Sequence, residues 1–247
     1  MKVSIITCVL NNSKTIKDTI ESVHSQIYID KEHILIDGGS NDETLNIIEK
    51  NNNKNLNLFS SKDEGIYYAI NKGINLCSGQ IVGILHSDDF YNNEKVISDI
   101  VETFKKTNAD LVYGDLEYVS KKPPHKIVRN WKAGKFNKFN LKKGWMPPHP
   151  TVFVKKDIFY KIGKYNTEYK ISSDYDFLIR ALSNESIKKQ YIEKILVKMR
   201  VGGKSNKSIK NIINKSLEDF IIIKKNKIGG ILTLLNKNYS KLHQFFY

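Results

Sequence analysis

Carboxylates recur through the first half of the 247-residue chain at Asp37, Asp63-Glu64 and Asp88-Asp89, each just after a short apolar run. If those runs are parallel strands, the acids gather at the strands' carboxyl ends, where open α/β sheets bind ligands. An acid-lined crevice there suits a nucleotide whose phosphates are bridged by a hard divalent cation. Mg²⁺ and Mn²⁺ take carboxylate oxygens together with substrate phosphates. The Asp88-Asp89 pair suits a helix N-cap beside a solvated acid equally well. No G-x-G-x-x-G follows the first apolar run and no G-x-x-x-x-G-K-[ST] occurs anywhere, which argues against a dinucleotide-binding dehydrogenase and a P-loop NTPase.

The elements that must position these acids show as alternating periodicities. Residues 3–7 read as a strand, and residues 13–26 as a helix with Ile16, Ile20 and Val23 at helical spacing. Residues 33–37 (HILID) form a second strand, and Ser40 or Asn41 is positioned to cap a helix over 42–50. Strands over 56–60 and 109–113, helices over 66–77 and 93–105, and the continuous apolar run IVGIL (81–85) of a buried parallel strand complete the alternation. The expected fold is therefore α/β, a mainly parallel sheet joined by right-handed crossovers. Beyond Asp115 the rhythm breaks. Residues 121–148 are basic, aromatic and proline-punctuated; strand-like 151–154, a short helix near 157–162, a helix opening at 172–174 and a strand over 195–200 follow.

The chain carries 40 Lys+Arg against 26 Asp+Glu, net +14, but unevenly. Residues 1–187 hold 26 basic and 23 acidic residues (+3), and residues 188–247 hold 14 and 3 (+11). Such an excess leaves nucleic acid, an anionic membrane surface or phosphorylated substrates open as partners. Nucleic acid is the weakest of these, because only three of the forty are Arg and no recognised binding motif appears. The opening MKVSIITCVLNNS is too short for a signal peptide and suits a core strand. Cys8 and Cys77 cannot build a disulfide framework and read as buried fillers, and a reducing cytoplasm is the simplest setting.

The segments VSIITCVLNNSKTIKDTIESVHSQ, LIDGGSNDET, DEGIYYAINKG, ILHSDDFY, VYGD, MPPHPTVFVKK and ISSDYDFLIRAL stand in an order that resembles the family 2 glycosyltransferases of the GT-A fold. They look most like bacterial enzymes of O-antigen, capsule and other surface-polysaccharide assembly. The resemblance implies a Rossmann-like, mainly parallel mixed sheet flanked by helices, with a C-terminal helical extension. Residues 1–115 would be the nucleotide-sugar half, 116–204 the acceptor half of the same domain, and 205–247 a basic amphipathic helical segment. It also implies an inverting glycosyltransferase with a nucleotide-sugar donor, UDP-linked, and Mn²⁺ or Mg²⁺. The alternative is a non-catalytic carbohydrate- or nucleic-acid-binding protein on the same fold.

By the same resemblance Thr7 and Asp37 would hold uracil and ribose, and Asp63 and Asn71 would match the family's acid and amide around Gly65. The family often has Asp where this chain has Tyr68. HSDD is similar to the DxD-like motif: Asp89 would bind the metal, and Asp88 the ribose or a metal-bound water. Asp174 matches the catalytic base, with Asp176 in support. His149, in the acceptor-side loop, would touch the acceptor or the diphosphate, or pack structurally. Trp145 would stack on a sugar or join the core, and Trp131 reads as core. The implied acceptor is a saccharide on undecaprenyl diphosphate at the inner face of the plasma membrane. The lysine-rich C-terminal segment, ending in Phe245, Phe246 and Tyr247, would meet anionic lipid.

Overall fold

Every residue of β1 (Val3–Val9) but Cys8 is buried, so this strand must be covered on both faces and flanked on both edges. It pairs in parallel with β2 (Lys31–Asp37) on one side and β4 (Ile81–Ile84) on the other, and β3 (Leu56–Ser60) extends the parallel set beyond β2. The structure is a computed structural model and describes residues 1–123, 125–202 and 209–243. Alternation splits the strand between two layers. Ile6 faces α3 (Ile66–Leu76) with Ile70 and Ile74, while Val3 and Ile5 face the layer of α4 (Val96–Thr107). Helices α1 (Ile16–His24) and α2 (Thr44–Lys50) close the second face with Ile16, Ile20 and Ile48. Helix α3 lies very close to the sheet: a Cβ on Gly73 would sit 2.6 Å from Ile6 Cγ2, so only glycine fits there.

The remaining strands make the sheet mixed. Antiparallel β8 (Phe153–Lys155) joins β4 to β6 (Leu111–Val119), and β9 (Lys189–Arg200) runs parallel to β6. The order is β3-β2-β1-β4-β8-β6-β9-β5, with β7 (Ile127–Trp131) hairpinned onto β6. β5 is the dipeptide Phe90–Tyr91, pinned antiparallel to β9 at Lys198 and Val197. The residues just before it, Asp88 and Asp89, are thereby tethered to the end of β9.

Three local expectations change. Neither Ser40 nor Asn41 caps α2, whose N-cap is Glu43. Ser40 Oγ instead accepts from Asn11 N and Asn41 N donates to the Asn11 side chain, stitching two strand-end loops together. β6 runs six residues past its expected end at Tyr113, since Gly114 lets Leu196 of β9 come close (2.7 Å to a built Cβ). The basic, proline-containing stretch conceals β7, and Trp131 within it is partly buried against two core clusters.

The part of the chain beyond β7 adds the short helices α5 (Lys138–Lys142) and α6 (Asp157–Lys161) and α7 (Ser173–Ser183). The C-terminal pair, α8 (Ile209–Lys225) and α9 (Ile231–His243), is built into the core: Ile222, Ile223, Ile228 and Leu234 join the cluster formed by α3 and α7. Phe245, Phe246 and Tyr247 lie outside the described residues.

Candidate active site

β4 ends at Ile84, and a turn closed by Asp89 N donating to His86 O (3.0 Å) presents Ser87-Asp88-Asp89 at the sheet's carboxyl edge. Asn12 Nδ2 donates to Ser87 O (2.9 Å) and Thr19 Oγ1 to Asp89 O (2.8 Å), so the loop is held from the β1–α1 side. Arg200 holds it from the other side. Its backbone N–H donates to Asp89 Oδ1 (3.2 Å), its Nη1 to Asp88 O (2.7 Å), and its Nη2 meets Asp18. The guanidinium is 3% exposed and lies 4.8 Å from the centroid of the Phe90 ring.

Asp89 is fully buried and its Oδ2 has no hydrogen-bond partner. Burial, then the neighbouring Asp88 charge, pushes its carboxyl well above the usual range, with the Arg200 N–H and charge opposing. Ionising a buried carboxyl with one unpartnered oxygen takes more positive charge than Arg200 supplies, and a divalent cation at that oxygen would provide it. Among the described residues no group of three His, Cys, Asp or Glu side chains gathers to hold a metal. Asp89, with Asp88 beside it, matches the alternative mode, in which one or two carboxylates share the ion with substrate phosphates.

The nucleoside-side candidates separate into engaged and open groups. The Asp37 carboxylate is buried and accepts from Gly39 N (3.0 Å), Ser40 N (3.1 Å) and Ser60 Oγ (2.7 Å), fixing the turn after β2. Thr7 Oγ1 meets His33 Nε2 (3.0 Å), and burial depresses His33 to about 3. Asn71 spends both ends of its amide on the Tyr165 backbone, at 2.8 and 3.1 Å. Asp63 differs: its Oδ2 is buried and unpartnered. Cys8 is partly buried and Cys77 buried, and desolvation raises both thiols.

Asp174 sits in the first turn of α7. Its Oδ2 lies 3.3 Å from His149 Nδ1, and its Oδ1 3.3 Å from Tyr67 Oη, whose proton goes to Ile171 O at 2.6 Å. The other ring nitrogen of His149 lies 2.8 Å from His86 Nε2. Burial lowers His149 to about 4 against the pull of Asp174, so the ring is neutral at pH 7. Hydrogen-bond matching then assigns its proton to Nδ1, facing the carboxylate, and makes Nε2 an acceptor from His86. Burial alone would raise the Asp174 carboxyl; the Lys237 and Lys215 charges, the Tyr175 N–H and His149, which is charged only in the acid range where Asp174 itself titrates, outweigh it and hold it below the usual range. A continuous line, Asp174–His149–His86, thus leads from the first turn of α7 to the Asp88-Asp89 loop.

Asp176 does not share that line. Its buried carboxylate accepts from Arg180 Nε (2.8 Å), and Arg180 in turn donates to the carbonyls of Ile162, Gly163 and Lys164. Trp145 is partly buried, donates to Ala133 O (2.9 Å) and packs edge-on against Tyr113.

Several contributors escape a reading by motif. The start of α7 has no side-chain cap; Glu218 of α8 instead accepts from the backbone N–H groups of Lys170, Ile171 and Ser172, at 2.9, 2.9 and 2.8 Å. Next to it, Asp219 pairs with Lys237 of α9 at 2.6 Å, both nearly inaccessible, and the Lys237 ammonium sits 3.2 Å from the Tyr175 ring centroid. Burial lowers this lysine to about 8, opposed by Asp219. The available signal was composition: Glu218 and Asp219 are the only acids between 205 and 247. Arg200 had a similar signal, as one of only three arginines.

The model of Glycosyl transferase family 2 matches residues 4–163. The chain belongs to glycosyltransferase family 2. Among curated relatives, a PGL/p-HBAD biosynthesis glycosyltransferase of Mycobacterium bovis is 31% identical over 212 residues, 82% of this chain and 78% of the relative. Solved structures show the same GT-A fold at low identity. Residues 1–349 of S. aureus TarS superpose with a TM-score of 0.73 at 20% identity, over 97% of this chain and 72% of that one. The same segment in complex with UDP-GlcNAc gives 0.70 at 19% identity, covering 97% and 73%. The mannosyltransferase PcManGT of Pyrobaculum calidifontis, in complex with GDP-Man and Mn²⁺, gives 0.68 at 14% identity, covering 96% and 69%. This family 2 chain is a glycosyltransferase with a mixed α/β sheet flanked by helices and a helical C-terminal pair.

Proposed function

We propose that this glycosyltransferase moves a sugar from a UDP-linked donor, with inversion, onto a saccharide carried by undecaprenyl diphosphate during surface-polysaccharide assembly. The observation that carries the reading is the pairing of two unlike carboxylates. Asp89 is buried beside Asp88 with one unpartnered oxygen; Asp174 lies 3.3 Å from His149 Nδ1, at the end of a histidine line, with its carboxyl held below the usual range. Environments that push two acids apart mark separate chemical roles.

Asp89, with Asp88 beside it, would hold Mn²⁺ or Mg²⁺, which supplies Lewis-acid stabilisation of the departing diphosphate. The unpartnered oxygen of Asp63 is available to a donor N–H or hydroxyl of the nucleoside, and Thr7 and Asp37 shape the floor of that site from β1 and β2. Asn71 and Asp176 support it through the backbone of residues 162–165. Asp174 accepts the proton of the acceptor hydroxyl as that oxygen bonds to the anomeric carbon and the carbon–oxygen bond to the diphosphate breaks. One displacement inverts the centre. Neutral His149 donates to Asp174 Oδ2, which fixes the rotamer and leaves Oδ1 for the acceptor. Trp145, behind the acceptor-side loop, keeps that loop's shape. The structures of relatives with UDP-GlcNAc and with GDP-Man and Mn²⁺ support a nucleotide-sugar donor and a divalent metal. No helix among the described residues is long and apolar enough to cross a membrane, which fits peripheral attachment at the inner face of the plasma membrane.

The test is nucleotide release from a panel of nucleotide sugars, with and without Mn²⁺. Metal-dependent release from a UDP-sugar supports the reading. Release that ignores metal, or that occurs only from GDP-sugars, overturns the metal or the donor assignment.

A further inference from the structure

Helices α8 and α9 each bury one stripe and leave a second apolar stripe in water. On α8 the inward residues are Asp219, Ile222 and Ile223, while Ile213, Leu217 and Ile221, spaced four apart on the opposite side, are 53–57% exposed. On α9 the inward residues are Thr233, Leu234 and Lys237, and Ile231, Leu235 and Tyr239, again four apart, are 56–61% exposed. Residues four apart share a helix face, so each set is a continuous ridge. Ile213, Leu217, Ile221, Ile231 and Leu235 belong to none of the buried clusters, and an exposed apolar surface of this extent marks an interaction site.

Charge decides what the ridges meet. Lys210, Lys224 and Lys225 are exposed around the α8 ridge, and Lys227 is exposed in the turn that leads to α9. The only acids on either helix, Glu218 and Asp219, are both consumed inward, by the N–H groups of 170–172 and by Lys237. The outward face is thus aliphatic, cationic and free of anions among the described residues. A second copy of the chain would set lysines against lysines. Nucleic acid would use arginine and stacking aromatics, where this face offers isoleucine and leucine. An anionic bilayer surface satisfies both features, taking the ridges at the headgroup–acyl boundary and the lysines at the lipid phosphates.

We propose that the outward faces of α8 and α9 dock this enzyme on anionic lipid by inserting the ridges Ile213–Leu217–Ile221 and Ile231–Leu235–Tyr239. The inference rests on the reading of the acceptor as lipid-linked and adds the surface that brings the enzyme to it. The pair whose inner side holds the start of α7 presents its outer side to the membrane.

The test is flotation of the full chain with vesicles of phosphatidylcholine containing phosphatidylglycerol, and with pure phosphatidylcholine, in the absence of any sugar nucleotide. Binding to the anionic vesicles is expected to exceed binding to the neutral ones. The double variant Leu217→Ser, Leu235→Ser is expected to lose roughly ten-fold or more of it. Its melting temperature and its nucleotide release on a soluble acceptor should match wild type, which separates loss of docking from misfolding. Equal flotation of wild type and variant overturns the proposal. So does a wild type that ignores anionic vesicles but forms a dimer by light scattering, which would assign the ridges to a second copy. Because the vesicle assay contains no donor, it fails or succeeds independently of the catalytic reading.

Discussion

Glu218→Gln is the sharpest probe of how the C-terminal pair serves catalysis. The carboxylate takes three consecutive backbone N–H groups at 2.8–2.9 Å just before α7, four to two residues ahead of Asp174. Glutamine keeps one acceptor oxygen but turns an NH₂ toward groups that also donate, and it removes the charge. One or two charge-assisted bonds are lost, each contributing about 1.5–3 kcal/mol. The start of α7 is then less well fixed by about 1.5–6 kcal/mol. A displacement of about 1 Å in a catalytic group costs on the order of 10²-fold in rate. The expected result is a fall in kcat of that order with little change in KM for the donor, because Asp63 and Asp89 stand on other elements. The assay is steady-state nucleotide release with donor and acceptor varied separately, beside a thermal melt. Unchanged kcat with a lowered melting temperature would refute the positioning role and leave Glu218 as a stabilising contact.

Other perturbations follow from the same contacts. His149→Ala removes the donor to Asp174 Oδ2 and a contribution that lowers the Asp174 carboxyl. As the proposed base, Asp174 would be active only when ionised, so the acidic limb of the pH–rate profile should move to higher pH as kcat falls; an unmoved limb refutes the coupling. Glu32 is buried under bonds from Ser4, Ser78 and Lys2 that bring it to about 2 against burial, from an ordinary 4.5. That depression stabilises the fold by about 3 kcal/mol above pH 4.5, and the benefit is lost as pH falls toward 2. Urea denaturation should show Glu32→Gln weaker by that order at pH 7 and nearly level with wild type at the acid end. Lys237→Met strands a buried Asp219 and should destabilise by about 3–5 kcal/mol, with Asp219→Leu added in the same chain recovering most of it; no recovery would mean the lysine acts chiefly through Tyr175.

Much of the first 115 residues was legible because the signals there are local. Apolar runs in β1, β2 and β4 followed by acids place Asp37 and Asp89 at strand ends from spacing alone. What spacing cannot carry is who satisfies each acid. Asp37 is closed by its own turn and Ser60, the amide of Asn71 by a backbone 94 residues away, and one oxygen of Asp89 is taken by Arg200, 111 residues away. These are tertiary contacts between residue types that look alike whether engaged or free. Beyond residue 115, β7 was hidden because lysines and prolines outweigh the short IVRNW pattern, while its partner β6 supplies the hydrogen bonds. The C-terminal segment read as one amphipathic face because lysine and isoleucine alternate along it. The structure divides its apolar residues between an inner stripe that completes the core and an outer one that does not.

Titration of UDP into the wild type, Asp89→Asn and Asp174→Asn, with and without Mn²⁺, tests the division of labour between the two carboxylates most directly. Wild type and Asp174→Asn should bind with the same metal dependence, Asp89→Asn should lose it, and both variants should lose turnover, Asp174→Asn by roughly 10²–10⁴-fold. Full turnover in Asp174→Asn, or metal-dependent binding retained in Asp89→Asn, would contradict it.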